Sequence, residues 1–225
     1  MFKKYYTVNM KVLFGFFVLT ALSLVLWFFI IPKYRDATPL SNFITEKVTP
    51  THTPFSLQDA PSESLKGKLT ITSDGVLRQD RVATESAKIS DDITIGQGEK
   101  VETDEEGNAL IEFTDTLDLT VFPNSSVDII QTLPTNLVFS LNRGRTNFAK
   151  KGSNTISVRI KHLLTQVEGN VDISLADDKP IISLRVISGS ITLAYNNLNY
   201  ETQSLKVSEG KTIEFNDSTR KVVAR

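Results

Sequence analysis

The chain has 225 residues, a formal net charge of −1 and no cysteine. That length carries one good domain with accessories, and a balance so near zero argues against a nucleic-acid partner. Without thiols there is no disulfide framework, thiolate nucleophile or cysteine zinc site, and His52 and His162 fall in regions too unlike to form a multi-histidine metal site.

Residues 1–11 carry Lys3, Lys4 and Lys11 and no acid. They read as a short cytoplasmic tail under the positive-inside bias. Val12 to Ile31 is then a run of 20 residues without a charge. At about 1.5 Å rise per residue this predicts a helix of roughly 30 Å, the thickness of a bilayer core. Trp27, Phe28 and Phe29 stand at its far end, where aromatic rings favour the interface. A cleaved signal peptide is the competing reading. Small residues would then mark a cleavage site, and Trp-Phe-Phe-Ile-Ile-Pro offers none. The expected placement is a bacterial cytoplasmic membrane crossed once, with the N-terminus inside and the C-terminal domain outside.

Residues 32–65 hold five of the eight prolines, many Ser and Thr, and no glycine. They predict a proline-stiffened linker, with a reach of roughly 30 Å as a flexible coil. From residue 66 to 225 ten of the eleven glycines occur and the pattern turns to β. Ala109, Ile111 and Phe113 alternate with polar neighbours, as do Leu117, Leu119 and Val121, before Pro123-Asn124-Ser125 turns the chain. Later Val171, Ile173 and Leu175 point one way, and Ile182, Leu184, Val186, Ile191 and Leu193 continue the pattern after a turn at Asp177 to Pro180. Gly169, Gly189 and Gly210 each open a strand-like run, spaced 20 and 21 residues apart, as if strand and turn alternated and stacked. This predicts an all-β domain of many short antiparallel strands, either a two-sheet sandwich or roll or a short β-solenoid. The glycines supply corners rather than chemistry.

These residues resemble the FecR-domain family. Gly98-Glu99, Thr103, Gly107, Asp115 and Pro123 to Ser125 follow its core pattern, and Gly144 matches its mid-domain glycine strand. VEGNVDI, RVISGSITL and LKVSEGKTIEF resemble its later segments, with Asn170 and Asp172 departing from the pattern. The resemblance runs in order over about residues 68 to 218. It implies an all-β, extracytoplasmic, non-catalytic domain that senses a partner in the best-known members. Their signalling to a sigma factor uses a cytoplasmic domain, and residues 1–11 are too short to fold one. That role is not carried over.

Charge is segregated along the domain. Residues 91–128 hold eleven acids against Lys100 alone, whereas residues 129–167 hold six bases and no acid. Arg143, Arg145, Lys150, Lys151, Arg159 and Lys161 are therefore a candidate surface for an anionic partner: lipid headgroups, a wall polymer or an acidic envelope protein. Cross-strand pairing on a solvated face is the other reading of the same pattern. Asp104-Glu105-Glu106 lacks the spacing of a calcium loop and reads as a charged turn. Ser62, Ser64 and Lys66 lie in or beside the linker, without the framework that activates a nucleophile. No catalytic, cofactor-binding or metal residue is assigned. The expectation is a membrane-anchored binding or scaffold module without catalysis, possessing no cofactor. Its rival is an anchored β-jellyroll bridge that carries a lipid or amphiphile. A side-chain-filled interior favours the module, and an open apolar groove favours the bridge.

Overall fold

In the computed structural model residues 59–176 and 178–224 are described. The predicted tail, the predicted membrane helix, the linker as far as residue 58, and Asp177 of the predicted turn lie outside the described residues. Among the described residues no helix is long and apolar enough to cross a membrane.

The described chain is all β. Its strands are β1 (Gly67–Ser73), β2 (Val76–Gln79), β3 (Ala87–Lys88), β4 (Ile93–Ile95) and β5 (Lys100–Thr103). They continue as β6 (Asn108–Phe113), β7 (Leu117–Val121), β8 (Ser126–Leu133), β9 (Asn136–Lys150) and β10 (Thr155–Ile160). The last five are β11 (Leu163–Leu175), β12 (Ile181–Asn196), β13 (Thr202–Ser208), β14 (Thr212–Asn216) and β15 (Lys221–Ala224).

Pairing sorts these strands into two layers of one continuous sheet. The first runs β3-β2-β5-β8, then the first half of β9, β10, the first half of β11, the second half of β12, and β13. The second runs β4-β1-β6-β7, then the second halves of β9 and β11, the first half of β12, β14 and β15. Three strands thus belong to both layers. They span 15, 13 and 16 residues, so the expectation of short strands alone is corrected. One pair, β9 with β10, is parallel rather than antiparallel. The solenoid option is also set aside, because strands remote in sequence pair within each layer.

The glycines explain the folding of the sheet. Gly169 and Gly189 are not corners between strands, as expected, but sit mid-strand and opposite each other in the β11–β12 ladder. There both strands pass from one layer to the other. A Cβ on Gly189 would lie 2.1 Å from the Glu168 carbonyl oxygen, and one on Gly169 2.1 Å from that of Ser188. No side chain fits where two backbones approach this closely. Gly210 closes the β13–β14 turn beside them, its N–H bonded to the Val186 carbonyl. The spacing of about twenty residues is therefore the distance between successive crossings at one edge of the sandwich.

A second row of crossings lies at the opposite edge. Gly144 pairs with Leu175, and Ala149 with Asn170, so the β9 crossing at Gly144 lies a strand's length from the β11 crossing at Gly169. Beside Gly144, the Pro123–Ser125 turn joins β7 to β8. The buried Thr103 hydroxyl donates to the Phe122 carbonyl at 2.6 Å and accepts the Ser125 N–H at 2.9 Å. Ser125 Oγ in turn accepts the Arg145 N–H at 2.8 Å. Replacing Thr103 with Val keeps the shape and strands two backbone groups, so we expect a loss of about 2 kcal/mol. Urea unfolding of Thr103→Val beside Thr103→Ser, which keeps the hydroxyl, checks this.

Between the layers the inward positions are mostly apolar and closed to solvent, with Thr146 and Thr165 buried among them. Val171, Ile173, Leu175, Ile182, Leu184, Val186, Ile191 and Leu193 are all buried, as their alternation predicts. Aromatic pairs bridge the layers. Phe139 of the first layer meets Phe113 and Phe148 of the second, at 6.0 and 5.6 Å between ring centres. Tyr195 meets Phe215 at 4.9 Å.

Candidate functional site

The six predicted cations divide into two sets. Arg145, on the outer face of the second layer, places Nη2 2.8 Å from Asp172 and stacks its guanidinium 4.5 Å over the Phe122 ring. Lys151 lies 2.6 Å from Asp118, and Lys150 pairs with Glu168. The Lys150 hydrogen bond holds the Glu168 carboxyl below its ordinary range. Hydrogen bonding to Asp118 likewise holds the Lys151 ammonium above its own.

Among the described residues Lys151–Asp118 is the one ion pair that joins the basic run to the acidic one. Three more acids of residues 91–128 are paired: Asp92 with Lys68, Glu99 with Arg78, and Glu102 with Lys100. Burial works to raise the Glu102 carboxyl, but bonds from Ser86, Lys100 and Ser126 outweigh it and lower it. Arg78 is raised above its ordinary value, chiefly by its bond to Glu99. Among the described residues four of the eleven acids and three of the six bases are thus ion-paired, mostly with residues outside the opposite run.

The other set is Arg143, Arg159 and Lys161. All three are exposed and have no carboxylate partner among the described residues. Arg143 ends the first-layer half of β9 and Arg159 lies beside Ser140 on the parallel neighbour β10, while Lys161 opens the β10–β11 turn with φ of 50°. Parallel alignment carries all three toward the edge marked by Gly144. Leu164, opposite Arg159 in the ladder, is 47% exposed on the same outer face. Sequence reading missed it, since Leu163 and Leu164 look alike until one is seen to point inward. His162 beside them is held 3.0 Å from Asp217 through Nδ1.

A cleft of about 480 Å³ lies at the opposite edge, where the chain joins the domain. Pro61, Ser62 and Ser64 form one wall, and Arg78, Gln97 and Glu99 another. Leu65 anchors this segment, exchanging hydrogen bonds with Thr132 through its N–H and its carbonyl. The Ser64 hydroxyl turns to Gln97 at 3.2 Å rather than to Lys66. Asp104 Oδ1 accepts the N–H groups of Glu106 and Gly107, which makes Asp104 to Gly107 a self-capped turn.

No family model matches the sequence, and neither does any curated protein. Among solved structures, two crystal structures of a candidate anti-sigma factor from Parabacteroides distasonis are similar to this chain, at 9% identity and a TM-score of 0.47. The match takes in 56% of this chain and spans 58% of the length of that one.

Proposed function

We propose that the chain is a membrane-anchored, extracytoplasmic, FecR-like binding or scaffold module without catalysis. It holds an acidic protein or polymer against Arg143, Arg159 and Lys161. The observation that carries this reading is the position of these three unpaired cations at one edge of one layer. Cations already neutralised within a sheet have little left for a partner, whereas unpaired ones attract anions at longer range. Their edge lies opposite the one where residues 59–66 bring the chain in. A strand of six residues spans roughly 20 Å. That separation leaves the three cations clear of the segment that brings the chain into the domain. The filled interior supports a module over an amphiphile bridge, since inward positions are taken by the protein's own side chains.

The test uses the full chain in uncharged detergent micelles, with poly-glutamate and phosphatidylglycerol vesicles as separate probes. Poly-glutamate is expected to bind with an affinity that falls as salt rises. Changing Arg143, Arg159 and Lys161 together to Ser weakens it at least tenfold, while changing Arg145, Lys150 and Lys151 leaves it within threefold. Equal losses in the two variants, or capture by the vesicles alone, would sink the assignment.

A further inference from the structure

The edge that carries Arg143, Arg159 and Lys161 also carries a histidine–carboxylate pair. His162 directly follows Lys161 in the β10–β11 turn of the first layer, and Asp217 opens the β14–β15 turn of the second. Asp217 Oδ1 accepts the His162 backbone N–H at 3.3 Å, and its two carboxylate oxygens lie 3.0 and 3.2 Å from the ring Nδ1. A charged carboxylate only accepts, so Nδ1 carries the ring hydrogen in this contact. Nε2 is then the nitrogen left to take a second proton. The imidazole side chain is 57% exposed and that of Asp217 only 13%. Asp217 is also tied down through its backbone. Its N–H bonds the Pro180 carbonyl at 2.7 Å, and its own carbonyl accepts Arg220 Nε at 2.9 Å. The carboxylate is therefore fixed beside the turn that presents Lys161.

We propose that the His162–Asp217 pair sets the charge of the anion-binding edge, so that an acidic partner binds more tightly as pH falls from 8 to 6. This rests on the reading of Arg143, Arg159 and Lys161 as that binding site, and it names the regulation of that site. With the ring neutral, the pair contributes the negative charge of Asp217 next to Lys161, which offsets part of the attraction for an anion. With the ring protonated, the pair is neutral as a whole and that offset is gone. Histidine is the side chain whose charge ordinarily changes in this range.

The charged groups around the pair come from each neighbouring element. Arg220 and Lys221 follow Asp217, and Asp178 and Lys179 precede Pro180 in the β11–β12 turn. The Asn196 carbonyl accepts Arg220 Nη1 at 3.4 Å, which brings in the β12–β13 turn, where Glu201 is held by Asn197. None of these side-chain types ordinarily titrates between pH 6 and 8. The pH response of this edge therefore traces to one ring.

The test uses the full chain in uncharged detergent micelles at constant ionic strength, with poly-glutamate at pH 6 and at pH 8, where glutamate stays ionised. The unaltered chain is expected to bind about threefold more tightly at pH 6, the effect of one exposed charge at moderate salt. His52→Gln, at the other histidine of the chain, keeps that difference. His162→Gln, which retains an N–H for Asp217, loses it. Asp217→Asn removes the offsetting charge, so at pH 8 it is expected to bind about as tightly as the unaltered chain does at pH 6. A contact that only held the turn in place would instead weaken binding when cut. Equal binding at the two pH values, a pH response that survives His162→Gln, or weaker binding by an Asp217→Asn chain with an unchanged circular dichroism spectrum would overturn this inference and leave the cation site standing. Absence of binding at either pH removes the site and the inference together.

Discussion

Gly189→Ala is expected to lower the stability of the β domain by about 3 kcal/mol or more, a large part of the 5–15 kcal/mol that holds a typical domain together. Two costs combine. Gly189 has φ of 81°, where an L side chain costs about 1–2 kcal/mol. The new Cβ also falls 2.1 Å from a backbone oxygen, and that oxygen belongs to a ladder strand that cannot retreat without breaking its pairing. Two other glycines separate these costs. Gly210→Ala has φ of 75° but open space around the Cβ, so it carries the backbone cost alone, about 1 kcal/mol. Gly96→Ala meets nothing within 4 Å and has no positive φ, so it is expected to be neutral or to stabilise by about 0.5 kcal/mol. Urea midpoints for the three variants, followed by far-ultraviolet circular dichroism, give the series. Equal losses for Gly189→Ala and Gly210→Ala, with Gly96→Ala neutral, would mean that backbone conformation alone matters and that the crossing is not sterically closed.

The same glycines show what was legible in the sequence and what was not. Period-two alternation identified the inward face correctly, because each strand buries one side only and a slip of one residue would expose its whole apolar set. Gly169, Gly189 and Gly210 were recognised as structural and regularly spaced. Their place inside strands was hidden, since a glycine that ends a strand and one that lets a strand change layer look alike in one dimension. The parallel β9–β10 pair was hidden for a related reason. Residues 151–154 return the chain from the second layer to the first, and nothing in their composition encodes that return.

The candidate surface was legible in composition but not in detail. Six bases without an acid stand out in a sequence, yet the partners of Arg145 and Lys150 come from β11, more than fifteen residues downstream. Cross-strand neighbours decide which cations stay free, and only register supplies those neighbours. Leu205 was invisible as an exposed residue for the same reason. Its alternation matches that of the buried positions on β12, and it stays open because among the described residues no strand lies beyond β13.

Phe139→Ala is the second change with a large expected effect, about 4 kcal/mol of stability. Phe139 is fully buried and reaches from the first layer to Phe113 and Phe148 of the second, so its removal leaves a cavity bounded by both sheets. Backbones crossing at the two edges limit how far the layers can collapse to fill it, which places the loss toward the upper end for such truncations. Phe139→Leu retains most of the volume and is expected to cost about 1–2 kcal/mol. The comparison also bears on function. In a conduit for an amphiphile, an inward aromatic would line free space, and shortening it would barely change stability while changing what the conduit accepts. Here the ring is part of the packing that joins the layers. A near-neutral Phe139→Ala in urea titration would return the bridge reading to first place. A loss of several kcal/mol, with Leu intermediate, identifies the interior as a packed core and leaves binding to the outer surface.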